Sequence, residues 1–127
     1  MRSRLRTLPA LLLVTCLAVT SVAAAESKAV QTMAGILANL NHFASDSEKA
    51  TLKGIVDDKA STAPEKTVAQ ALINVKHTVD AADKSKLQAL VADKDTPASI
   101  KTLAEVILAL NHTPSDAEKA KLKKLVS

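Results

Sequence analysis

The chain repeats itself in unbroken register every 35 residues. Thr32, Thr67 and Thr102 mark one place three times, as do Ala34, Ala69 and Ala104. The same holds for His42, His77 and His112, for Lys49, Lys84 and Lys119, for Leu52, Leu87 and Leu122, and for Val56, Val91 and Val126. A fixed period of this length belongs to arrays of supersecondary units, each too small to bury its own apolar face and stable only against a neighbour. The repeat therefore constrains the fold more tightly than composition does.

Within a unit, apolar residues recur at helical spacing. Val30, Met33, Ile36, Leu37 and Leu40 advance by steps of three and four, as do Val68, Ala71, Leu72 and Val75, and Leu103, Val106, Ile107 and Leu110. A second, shorter stripe follows in each unit: Leu52-Ile55-Val56, Leu87-Leu90-Val91 and Leu122-Leu125-Val126. Ser45 with Glu48, and Ser115 with Glu118, have the spacing of a capping box, and Asp80 holds the same place in the middle unit. Thr62 before Pro64, and Thr96 before Pro97, place a hydroxyl cap ahead of a proline in the first helical turn, where the missing N–H costs nothing. The pattern predicts six helices over 28–41, 46–59, 63–76, 81–93, 97–111 and 115–126.

The expected fold is all-α: three tandem helical hairpins, over about 28–62, 63–97 and 98–127, stacked as a short α-solenoid or a closed helical bundle. Short links make successive helices antiparallel neighbours, and strict repetition favours the open stack. The period is close to that of the tetratricopeptide and pentatricopeptide repeats, but the Trp, Leu-Gly and Tyr positions of the tetratricopeptide pattern are absent. Nothing is carried over from either family.

Residues 1–25 read as a secretory signal. Arg2, Arg4 and Arg6 form a basic start, Leu8 to Val22 is apolar, and Ala23-Ala24-Ala25 offers a cleavage site after Ala25. The alternatives are an uncleaved N-terminal membrane anchor and lipid attachment at Cys16. The export signal places the chain in the periplasm, or among secreted products, with no stable membrane insertion after cleavage and the repeat domain over 26–127. The formal charge of +4 includes the three arginines; without them 14 lysines face 13 acids, a charge of +1. A nearly balanced surface with no Arg and one aromatic residue argues against nucleic-acid binding. Cys16 leaves with the signal, so no disulfide and no cysteine nucleophile remain.

Four groups of residues compete for function. His42, His77 and His112 are metal-ligand candidates through neutral imidazole. Stacked helices lie about 8–10 Å apart, so the expectation is that equivalent histidines are too far apart to share an ion, and that they serve instead as helix-end caps or as pins of the link. Lys49, Lys84 and Lys119, which oppose the helix dipole, read as solvated surface cations. Phe43 replaces the Thr78 and Thr113 of the other units and is a candidate interaction anchor, or else a staple packed on the second helix. Leu125 and Val126 stand almost at the C-terminus, where an unsealed apolar end face would invite self-association or a protein partner. Polar residues that recur as identical copies do not resemble a catalytic constellation, which needs different groups converging on one point. The sequence thus points to a non-catalytic, exported interaction or chaperone-like module without a cofactor. The alternatives are a His-based metal or small-ligand carrier and an envelope stress or structural protein.

Overall fold

The structure, a computed structural model, describes residues 26–127. The segment read as a secretory signal, with the cleavage expected after Ala25 and with Cys16, lies outside the described residues. Among the described residues the regular structure is entirely helical: α1 Lys28–Ala38, α2 Asp46–Asp57, α3 Ala63–Asn74, α4 Ala81–Ala92, α5 Ala98–Ala109 and α6 Asp116–Val126. None of these helices is long and apolar enough to cross a membrane.

The helix starts follow the side-chain chemistry of the caps. Ser45, Thr62 and Ser115 each accept a hydrogen bond from the backbone N–H three residues on, and Glu48, Glu65 and Glu118 each accept from the cap's own N–H. Asp80 accepts from the Asp83 N–H. One expected cap is different: Thr96 is buried, and Pro97 itself stands at the N-cap of α5 without a side-chain bond.

The first helix of each unit ends earlier than the apolar periodicity predicts, at Ala38, Asn74 and Ala109. Leu40, Val75 and Leu110 continue the apolar count and are buried, but they lie beyond the helices, and Val75 and Leu110 have extended backbone. They anchor the start of each link in the core. Burial was the true signal at these positions, and a helix and an extended anchor satisfy it equally well.

The packing differs from a row of hairpins. The closest helix pairs join neighbouring units, α2 with α3 and α4 with α5, and α6 packs just as extensively on α1. The two ends of the array therefore meet, and the open stack gives way to a ring. The first helices α1, α3 and α5 touch one another at its centre. Their core is assembled from equivalent positions, with Met33, Val68 and Leu103 in one layer and Leu37, Leu72 and Ile107 in the next, all fully buried. Leu52, Leu87 and Leu122 key the outer helices to this core and are equally inaccessible.

One break in the repetition brings a carboxylate inside α3. Glu65 occupies the place held by Val30 and Ile100. Its buried carboxylate accepts from the Ser27 hydroxyl at 2.6 Å and from the Thr62 N–H at 2.8 Å, tying the start of α1 to α3. A carboxylate held in this way has its lone pairs satisfied, which burial requires.

Candidate metal centre

Each unit joins its two helices through a link with a histidine at its tip. Phe43, Thr78 and Thr113 donate their N–H to the carbonyls of Asn41, Lys76 and Asn111 at 2.7–2.9 Å, two residues back. The central residue of each three-residue turn is His42, His77 or His112, with φ of 69°, 67° and 67°. Positive φ is uncommon for a residue with a Cβ, and a γ-turn of this hand is rare and strained. Such backbone costs on the order of 1–3 kcal/mol per residue and persists where the surrounding structure over-determines it.

The surroundings here are the other two turns. The His42 N–H donates to the His112 carbonyl, the His77 N–H to the His42 carbonyl and the His112 N–H to the His77 carbonyl, each at 2.9 Å. The three strained residues thus close a cyclic set of backbone hydrogen bonds around the axis of the ring. The anchors Leu40, Val75 and Leu110 hold the same turns to the core from below.

This frame brings the imidazoles together. Their Nδ1 atoms form a nearly equilateral triangle with sides of 3.2, 3.2 and 3.1 Å. The ring centroids are 5.0–5.2 Å apart, with edge-to-face ring planes, so Nδ1 is the edge that each ring turns toward the axis. The expectation that the histidines are too widely spaced to share an ion is overturned. That expectation treated neighbouring units as parallel translations by one helix spacing; about an axis, equivalent points on inward-facing links converge instead.

Three such nitrogens cannot satisfy one another. A ring N–H points along the ring's own bisector, here toward the axis, and two such hydrogens aimed at one point would collide. At least two of the three nitrogens therefore present lone pairs to the same small space, an arrangement that a cation resolves. Nitrogens at these separations lie about 1.8 Å from their common centre, close to the roughly 2.0–2.1 Å of a Zn–N bond, so the three Nδ1 atoms would be able to hold one zinc-sized ion together. Three nitrogens are one fewer than the four ligands that zinc usually takes, which would leave a position for a ligand from outside the set. An equilateral set does not supply the edges of a square plane, which disfavours square-planar ions. The three side chains are exposed, so a ligand from solvent would be able to reach an ion held there.

The other sequence candidates are placed differently. Phe43 is 54% exposed, with the ammonium of Lys49 in α2 5.6 Å from its ring centroid. Lys84 and Lys119 have Thr78 and Thr113 at the position of Phe43 and lack this partner. Leu125 packs against the core, whereas Val126, the last helical residue, is 48% exposed. The terminal face expected to be open is covered where α6 meets α1.

What sequence reasoning missed was the joint meaning of two visible signals. A histidine in a link can be a cap, and a three-fold repeat can be a stack, but a histidine in the same link of three units that close on themselves is a triad. Comparison with protein-family models, with curated proteins and with solved structures finds no match. The reading of this centre rests on its own geometry.

Proposed function

We propose that this chain binds one divalent transition-metal ion, zinc by preference, through Nδ1 of His42, His77 and His112, and that it acts as a carrier or buffer of that ion. The observation that carries the reading is the Nδ1 triangle with sides of 3.1–3.2 Å, built on three strained turns whose backbones bond one another. Imidazole suits zinc, and three nitrogens with an open position form one of its recurring ligand sets.

The backbone ring does the work that outer-sphere partners do in other metal sites, holding ligand orientation before the ion arrives. Three identical neutral ligands on an exposed face allow entry and release without opening the fold, which suits carriage. The signal read at residues 1–25 assigns that role to the periplasm or to the secreted fraction. The role proposed is carriage of the ion and not catalysis.

The test is calorimetric titration of the purified, metal-stripped protein with zinc. The expected result is one ion per chain with a Kd below about 1 μM, abolished by simultaneous substitution of His42, His77 and His112 with alanine. The stoichiometry separates this site from scattered surface carboxylates. Binding that survives the triple substitution, or three independent weak sites, overturns the reading.

A further inference from the structure

The three units are alike at the metal centre and unlike beside it. Phe43 stands where the other units have Thr78 and Thr113, and Lys76 stands where they have Asn41 and Asn111. Both departures line one groove of about 860 Å³, whose wall also includes Lys49, Ile73, Val79 and His77. His77 belongs to the groove and to the Nδ1 triangle alike. The groove is therefore specific to one sector of the ring, adjoins the metal centre and is not a by-product of repetition.

Its chemistry is two-fold. Phe43 offers an exposed aromatic face, and Ile73 and Val79 are only partly buried. Lys49 and Lys76 add two positive charges. The groove's acid, Asp80, is held at the start of α4, where its Oδ1 accepts from the Asp83 N–H at 2.8 Å. The metal centre adds to the same demand, because three neutral imidazoles leave the charge of a divalent ion uncompensated. Among the described residues the three histidines are the one cluster of metal-ligating side chains, so an anion for the open position has to come from outside the chain.

Resting on the three-histidine reading, we propose that the open metal position takes the carboxylate of a small organic acid whose apolar or aromatic body lies in this groove against Phe43. Lys76 and Lys49 draw the anion in, the ion bonds it, and Phe43 selects acids with an apolar body over short hydrophilic ones. The chain then carries a metal–carboxylate pair and not a bare ion.

Cobalt(II), which reports its ligands through visible absorption, provides the test. The cobalt-loaded protein is titrated with benzoate, acetate, benzyl alcohol and inorganic phosphate. Benzoate is expected to perturb the spectrum with a Kd at least about tenfold below that of acetate, the difference being burial of the ring. Benzyl alcohol, which lacks the anion, and phosphate, which lacks the apolar body, are expected to bind more weakly than benzoate. Phe43→Thr, which installs the residue of the other two units, is expected to bring benzoate to within about twofold of acetate while leaving cobalt binding unchanged. Lys76→Asn is expected to weaken both carboxylates several-fold. A chain that takes up no cobalt fails at the metal centre itself and removes the basis of the inference. A cobalt-loaded chain on which benzoate binds no better than acetate or phosphate, or in which Phe43→Thr changes nothing, overturns this inference alone.

Discussion

At the scale of the residue, the three histidines are in conflict with their own backbone. Each holds a φ that glycine adopts without steric cost, and each is exposed, so little packing is gained from the side chain in return. Strain repeated at equivalent positions is what a binding function leaves behind when it is bought with stability. Replacing His77 with glycine tests this directly. The metal-free protein is expected to gain about 1 kcal/mol in urea denaturation, relief of strain outweighing the added freedom of the unfolded chain. The same substitution is expected to weaken zinc binding by at least about a hundredfold, since a two-histidine remnant has lost one bond and the symmetry of the site. A metal-free variant less stable than the parent would show that the turn is not strained in the sense argued.

Helices, the next scale up, are specified by local rules that the sequence displays openly. Capping boxes at Ser45, Thr62 and Ser115 start them, and the stripes of Leu and Val decide which face goes inward. Helix ends were less legible, because Leu40, Val75 and Leu110 kept the apolar rhythm going after the chain had turned out of the helix. Gly54 is the weak point of α2. A Cβ built there meets nothing within 4 Å, and the middle unit has Ala89 at the same place. Gly54→Ala is expected to raise stability by about 0.5–1 kcal/mol, chiefly by restricting the unfolded chain, with no change in zinc affinity. Thermal unfolding with and without zinc checks both halves of that statement.

For the whole molecule, ring closure decides both what is buried and which side chains converge. The core lies where α1, α3 and α5 meet, and the histidine triad lies where their links meet, so an ion bound by one histidine from each unit would tie together segments far apart in sequence. Binding to the folded ring and not to the unfolded chain stabilises by linkage, by about 2.7 kcal/mol when free zinc is a hundredfold above its Kd. The sign of the pH effect follows from the ligands. Imidazole binds metal only when neutral, so protons compete with zinc, and the zinc-dependent rise in Tm is expected to be largest at neutral to alkaline pH and to vanish on acidification. A zinc-induced rise in Tm that is indifferent to pH, or that persists in the triple alanine variant, would place the ion on other ligands.

Period, helix count, caps and most of the buried face could be read from the chain alone, because each depends on interactions between residues a few positions apart. The histidines were equally visible, and their recurrence was read as structural: one cap or pin in each unit. What recurrence could not reveal was whether equivalent residues run in parallel or converge, since 35-residue units joined by short links are compatible with either a row or a ring. The contact of α6 with α1 decided that question, and with it the distance between residues 35 and 70 positions apart. Local chemistry wrote the unit; closure about an axis turned three copies of one side chain into a single centre.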